Sequence, residues 1–535
     1  MSALEKLSQN DSFFEENNNN DKDAHTQIKE THTKELVIAI CGPIGSPLHE
    51  IADSIKTTLE QKYGYDCRQI RLSKFIEEYL SKIDNSQPIP KNNKFKKTEA
   101  LIGYGDALRE KFGPSVLAEL AIAKIRVDRQ AKGMNEEKDR FVGRRICHII
   151  NSIKNQSELD LLREVYREVL YVFGGFSPIS AREANLLKQG FTIQQAYDLM
   201  ERDAHSGNNG QTVSDTFPQS DFFLRMDTNS AAGLSIKVER YLDLILGTKI
   251  VTPTREESAM YAAASAANSS ACLSRQVGAA VTDSAGEVLA VGWNDVPKPS
   301  GGLYQTDREK DPLNIKDMRC HNIDGGKCFN DDEKSILAEA LIESLGSEII
   351  SEEKKELAIA KLLKDKKIKG LIEFSRAVHA EMHAILNSMR SAGNRVQGGS
   401  IYVTTYPCHG CARHIIASGI SNVYYIEPYK KSLAVKLHGD SITETESESD
   451  KVRLLPFEGV APSRYLSIFQ MRINSRKSEG KLIKIYAGNA LPKLKKSLQS
   501  LPELEGVVVG KLVSRGLLEI QSSVAQGIND GTHTA

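Results

Sequence analysis

The pattern that most constrains this chain is split between two segments. His379-x-Glu381 lies in "RAVHAEMHAIL" (376–386), and Pro407-Cys408-x-x-Cys411 lies in "TTYPCHGCARH" (404–414). His379 and His383 are spaced i, i+4, as in a metalloprotease helix, but that motif needs Glu directly after the first His. Here Glu381 comes one place later. At ~100° per residue it points about 200° around a helix from His379, which spoils the protease geometry. The spacing instead predicts that His379 enters at a helix start with Glu381 across a metal from it. His383, one turn on along the same side, reads as a packing or supporting histidine, with a ligand role as the alternative.

The remaining ligands are Cys408 and Cys411, at the end of a predicted strand and the start of a predicted helix. A helix N-terminus and a metal both favour thiolates. One His and two Cys make three protein ligands for Zn2+ and leave a fourth tetrahedral place for water. That marks a catalytic site, since structural sites are closed by four ligands. The alternative, a structural zinc ribbon, needs a fourth ligand and has no use for Glu381. Glu381 is the expected proton carrier between water and substrate. Cys320, His321 and Cys328 in "RCHNIDGGKC" are candidates for a second, structural zinc, or are simply thiols near the first site.

Composition narrows the setting. Lys+Arg and Asp+Glu are both 70 in 535 residues, so net charge is zero. A polynucleotide binder usually carries a basic excess or stripe. The balance argues against DNA as substrate and leaves room for a local basic pocket. There is no apolar run of membrane-spanning length, and the first 20 residues lack the pattern of a secretory signal. Eight cysteines in so long a chain do not suggest a disulfide scaffold. A cytoplasmic setting is expected.

The chain reads as α/β in two units. Residues 1–33 are polar and are expected to form a disordered arm. "KELVIAICGPIGSP" (34–47), "RRICHIINSI" (144–153) and "LYVFGGFSP" (170–178) read as buried parallel strands alternating with helices, placing a parallel α/β domain at 34–250. In a second unit, 251–475, "QVGAAVTDSAGEVLAVGWND" (276–295) reads as a hairpin turning at Ser284–Gly286. A helical insertion follows at about 296–375. Strand 399–408, helix 410–420 and strand 422–429 then carry the cysteines. Residues 476–535 form a C-terminal extension with little readable pattern.

H-x-E…P-C-x-x-C is the signature of zinc-dependent nucleobase deaminases. Over roughly 255–470 the sequence resembles the deoxycytidylate deaminase branch of the cytidine deaminase superfamily, helped by "RQVGA" (275–279) and "GWNDVPKPSGG" (292–302). The resemblance implies a cytidine-deaminase-like α/β/α sandwich, with Asn294 on the deoxyribose 3′-hydroxyl and Arg275 as a phosphate contact. That branch usually has Asn where His383 stands. With a P-loop-kinase-like domain in front, including "NSIKNQSELDLLREVY" (151–166) and "DTFPQSDFF" (215–223), the chain resembles bacterial antiviral deoxycytidylate deaminases. That resemblance implies action on dCMP and dCTP, depletion of cytosine nucleotides during phage infection, homo-oligomers and restraint by a small RNA. A housekeeping dCMP deaminase, a deaminase of tRNA or single-stranded nucleic acid, and a non-catalytic zinc scaffold are the competing readings.

"CGPIGSP" (41–47) sits where a phosphate-binding loop belongs. Gly42, Gly45 and Ser46 can bring backbone N–H groups toward a phosphate at a helix N-terminus. The Lys that such a loop needs is missing, so no kinase activity is expected. Nucleotide binding and a purely structural role both stay open.

Overall fold

The structure, a computed structural model, describes residues 23–84, 86–90, 92–135, 140–141, 143–204, 212–226, 231–306, 316–428, 432–471, 475–498 and 500–518. Two six-stranded sheets organise it. The first contains β1 (Leu36–Cys41), β2 (Asp66–Arg71), β3 (Ile146–Ile153), β4 (Leu170–Phe176) and β5 (Phe222–Arg225). These five are mutually parallel in the order β2-β3-β1-β4-β5. β1 is buried at every position, as expected for a parallel strand covered on both faces. Helix Leu48–Tyr63 lies on one face, where Ile51 and Ile55 meet Ile38 and Ile40. Helices Val116–Gly133 and Gln156–Tyr166 lie on the other, where Leu120 and Leu162 join Val37 and Ala39.

The second sheet contains β6 (Gly278–Thr282), β7 (Val288–Trp293), β8 (Ser400–Thr405), β9 (Asn422–Glu427), β10 (Ile442–Thr443) and β11 (Val452–Pro456). Its order is β10-β11-β9-β8-β6-β7. The predicted hairpin is β6–β7, antiparallel, closed by Gly286 N–H donating to Asp283 O. Side chains alternate between faces. Ala279 and Val281 face helices Ala380–Ala392 and His409–Ala417, while Ala280 and Tyr402 face helix Arg255–Ala267. The sheet is thus layered between helices, and the whole is mixed α/β with parallel-rich sheets. Helices Phe329–Ser344 and Glu352–Lys364 form the helical part of the 296–375 insertion.

The chain then returns to the first unit, which the sequence does not announce. β12 (Gly459–Val460) pairs antiparallel with β5 at the edge of the first sheet. Glu257, 1% exposed, clamps this junction. It takes both Arg240 guanidinium nitrogens at 2.8 and 2.7 Å, Thr254 N–H at 2.8 Å and Val460 N–H at 2.9 Å. Phe223 meets Phe457 edge-on. Helix Ser500–Ser514, inside the expected C-terminal extension, packs on helix Val116–Gly133.

The expected disordered arm needs a correction over its last part. Residues 1–22 lie outside the described residues, but Ala24–Glu30 is a helix capped by Asp23. Thr33 N–H donates to Lys496 O, and Leu498 N–H donates to Thr31 O. A distant polar segment satisfies backbone groups that a local reading assigns to water.

Arg129, 1% exposed, ties Glu35 and Glu505 into this core. Its guanidinium binds Glu35 at 2.5 Å and both Glu505 oxygens at 3.1 Å. Tyr166 O–H donates to Glu505 at 3.2 Å. Removing one partner of a buried charge set typically costs about 3–5 kcal/mol, because the others stay buried without compensation. Arg129→Met is therefore expected to lower unfolding free energy by about that amount, read by far-UV circular dichroism in urea. A loss below about 1 kcal/mol, the scale of an exposed pair, would show that the helix is held by its apolar face instead.

Candidate metal centre

His379 is the N-cap of helix Ala380–Ala392, with extended backbone (φ −72°, ψ 152°). Cys408 is the N-cap of helix His409–Ala417 (φ −70°, ψ 165°) and accepts Cys411 N–H at 3.4 Å. Both helices pack on the same sheet, which brings their starts together. Gly292 makes the first approach possible, since a Cβ there would lie 2.3 Å from Ala384 N and 2.6 Å from Ala380 O. Val378 N–H donates to Asp295 O at 2.9 Å, fixing the strand-like entry to His379.

His379 Nδ1 lies 3.4 Å from Cys408 Sγ and 3.3 Å from Cys411 Sγ. These three ligand atoms all fall within 4.8 Å of one another, the single such group of three among the described residues. With Zn–N near 2.0–2.1 Å and Zn–S near 2.3 Å, a tetrahedral ion sets N···S at about 3.6 Å. The N/S donor set and its spacing fit zinc.

The three groups share protons closely. The Cys408 thiol is pulled down to about 4, first by the hydrogen bond from Cys411 and then, against burial, by His379. His379 is raised to about 9, chiefly by its hydrogen bond with Cys408. Cys411 is pushed up by Cys408 and by burial. Metal binding releases the remaining protons, since ligands must be deprotonated.

Glu381 is 5% exposed, and burial raises its carboxyl above the usual range while His379 opposes this. It lies beside Cys411 and outside the ligand trio. His383 is also outside the trio. Its Nδ1 accepts Trp293 N–H at 3.2 Å, and its ring meets Trp293 edge-on at 4.7 Å. It ties the Glu381 helix to the end of β7.

The expected nucleotide contacts sit at the start of β6 and the end of β7. Asn294, 8% exposed, accepts Val277 N–H at 2.7 Å and donates to Arg275 O at 2.8 Å. One N–H and one lone pair of its amide remain for a ligand. The half-exposed Arg275 side chain pairs with Glu427. Cys320, His321 and Cys328 do not form a three-ligand group within the same distance among the described residues. Cys320 and His321 open a short 3-10 turn, while Cys328 caps helix Phe329–Ser344 and its Sγ lies 3.5 Å from Ser274 Oγ.

Sequence reading missed three supports. Asp295, 1% exposed, binds Ala271 N–H and Val296 N–H at 3.0 and 2.8 Å. Tyr406, one residue before Pro407, donates to Glu444 at 3.0 Å. His409 faces Glu373 of the insertion at 3.6 Å. Only the Asp295 position has a local signal, in the dipeptide Asn294-Asp295 after a strand. The other two depend on distant partners.

The ligand set predicts metal content directly. His379→Ala and Cys411→Ser are expected to drop zinc from about one per chain to a small fraction of that, because two ligands hold the ion poorly. His383→Ala is expected to keep it. Elemental analysis after gel filtration checks this, and wild-type zinc in either ligand variant would place the ion elsewhere.

Residues 253–427 match the family described as the cytidine and deoxycytidylate deaminase zinc-binding region. ComE operon protein 2 of Bacillus subtilis (strain 168) is 50% identical over 56 residues, 10% of this chain and 29% of that protein. The deoxycytidylate deaminase of Enterobacteria phage T2 is 44% identical over 55 residues, 10% of this chain and 29% of that protein. The chain spans about three tenths of the length of these curated relatives. Among solved structures, the dCMP deaminase from the cyanophage S-TIM5 is 17% identical, covering 39% of this chain and 100% of that one with a TM-score of 0.21. No helix among the described residues is long and apolar enough to cross a membrane. Residues 253–427 are similar to the zinc-binding region of the cytidine and deoxycytidylate deaminases, and His379, Cys408 and Cys411 are the cluster in this segment that fits Zn2+.

Proposed function

We propose that the chain is a zinc-dependent hydrolytic deaminase of free cytosine deoxynucleotides, converting dCMP and dCTP to dUMP and dUTP. The observation that carries this reading is a buried carboxylate, Glu381, beside a His/Cys/Cys cluster that includes no carboxylate ligand. When bound, zinc supplies Lewis acidity that makes water acidic enough to be a nucleophile near neutral pH. His379, Cys408 and Cys411 hold the ion. Glu381 takes one proton from water and gives it to ring N3, then takes the second from the new C4 hydroxyl and gives it to the departing amino group, as the glutamate of zinc deaminases does. Water adds at C4, the C4–N bond breaks, and ammonia leaves. The low polarity around Glu381 favours its protonated form enough for it to return the proton it has taken.

In this reading Asn294 orients the sugar through its spare N–H and lone pair, and Arg275 leaves Glu427 to meet a phosphate. A guanidinium fork suits phosphate oxygens. The neutral overall charge supports a mononucleotide over a tRNA or single-stranded substrate, which would rely on a basic track. Use of dCTP, the antiviral depletion of cytosine nucleotides, homo-oligomers and restraint by a small RNA enter this proposal through the resemblance alone.

Purified protein is to be assayed with dCMP, dCTP, CMP and a cytosine oligonucleotide. Uracil products are expected from the free deoxynucleotides, with binding that weakens little with salt. A polynucleotide substrate would give a steep salt slope. Glu381→Gln is expected to keep its zinc and lose about 10²–10⁴-fold in rate, the usual size of a general acid–base contribution. Absence of product from both dCMP and dCTP overturns the substrate class. Undiminished turnover by Glu381→Gln overturns the role given to this residue.

A further inference from the structure

The loop 42–46 follows β1 at the carboxyl end of the first sheet, beside the point where strand order reverses. Open α/β sheets bind ligands at such places. Here the loop is already filled from within the protein. Asp203, near the end of helix Ile193–Ala204, is 1% exposed. Its Oδ2 accepts Ile44 N–H at 2.7 Å, and its Oδ1 accepts Lys154 Nζ at 2.8 Å. Lys154 follows β3 and also donates to Gly42 O at 2.8 Å. A lysine absent from the loop sequence has thus reached it from the neighbouring strand, together with its own anion.

The other loop groups are fastened in the same way. Arg182 Nε donates to Ile44 O at 2.7 Å, and Asn185 Nδ2 donates to Gly45 O at 3.0 Å. Ser177 N–H donates to Ser46 Oγ at 3.3 Å. Packing accounts for both glycines. A Cβ on Gly42 would lie 2.1 Å from Gly175 O, and one on Gly45 would lie 2.8 Å from Arg182 O, at a φ of +86°. Neither glycine requires a phosphate to explain it, and three loop carbonyls point at donors from other elements.

We propose that Asp203 is a built-in occupant of this loop. Its carboxylate takes the place of a phosphate oxygen on Ile44 N–H, and Lys154 is its counter-cation. An incoming phosphate meets a buried like charge and finds the N–H and the lysine taken. The loop therefore accepts a phosphate-class anion only when the Asp203 carboxylate is removed.

The test is thermal unfolding of the full zinc-loaded chain in inorganic phosphate against sodium chloride of equal ionic strength. Wild type is expected to show no saturable response to phosphate beyond that of the double variant Asp203→Leu/Lys154→Met, which shares its Arg275. Asp203→Ala leaves Lys154 and Ile44 N–H without an anion. It is expected to melt lower in chloride and to recover a few degrees with phosphate in a saturable way, as for a ligand that binds only the folded state. The double variant Asp203→Leu/Lys154→Met removes both charges and reports the general salting effect of phosphate. It is expected to show no saturable rise. If Asp203→Ala does not purify folded, Asp203→Asn, which keeps the side-chain volume and removes the charge, is read the same way. A saturable phosphate response in wild type equal to that of the variant overturns the proposal, because the loop is then open. A flat response in the charge-removed variant overturns it as well, because the carboxylate then holds no anion position.

Discussion

Two helix N-termini aimed at one spot set the chemistry of this protein. His379 and Cys408 are both N-cap residues in extended backbone, and Cys411 sits in the first turn behind Cys408. An N-cap side chain points back over its own helix start, where the dipole favours negative charge. The same geometry that ends two loops therefore collects a nitrogen and two sulfurs, and it lowers the cost of a thiolate. Their separation is set by the sheet beneath. One helix lies on β6 and β7, the other follows β8, and β6 is hydrogen-bonded between those strands. A metal centre built this way is only as precise as the contact between helix Ala380–Ala392 and β7, which is why Gly292 and the His383–Trp293 bond matter beyond their own energies.

That sheet does not stand alone. Its far face shares a continuous apolar core with the first unit, where Met260 and Phe457 join Val37 and Leu120. Around this core, charged groups of the two units are paired. Arg225 meets Glu446 at 2.5 Å, Lys237 meets Glu458 at 2.8 Å, and Arg240 meets Glu257. Glu257 does more than pair, because it also caps its own helix and receives the N–H of β12. One buried carboxylate thus joins three segments that are distant in sequence. Truncating it would leave Arg240 without its carboxylate and the N–H groups of Thr254 and Val460 without their acceptor.

What could be read from residues alone follows from the range of the interactions involved. The zinc cluster was legible because each half is local, with a His and a Glu at one helix start and a Pro-Cys-x-x-Cys at another. Strand β1 was legible from an unbroken apolar run, and the β6–β7 hairpin from its turn residues. β12 was not, because two residues have no periodicity and pair only through β5. Glu505 and Arg129 carry no local signal, since nothing near either in sequence shows that the other will be buried against it. The same holds for the ordered part of the N-terminal segment, which depends on residues 496–498. Asp203 sits in a charged stretch, "MERDAH", where an acid is unremarkable until Lys154 and the loop arrive from other strands.

The closed loop also alters what the first unit can contribute. A phosphate-binding loop acts on the rest of a protein by exchanging ligand, whereas a loop filled by Asp203 acts by staying still. Arg182 holds Ile44 O, and in the second unit burial and then Glu444 push the Tyr425 phenol of β9 up. Tyr425 packs edge-on against Tyr406, which donates to Glu444 and precedes Pro407 and Cys408 in the chain. These contacts of Tyr425, Tyr406 and Glu444 lead to the residue that begins the cysteine helix. Every member of the series is buried or half-buried and has a partner. Packing of Tyr425 on Tyr406, and the Tyr406 bond to Glu444, therefore restrain the start of the cysteine helix from within the second unit.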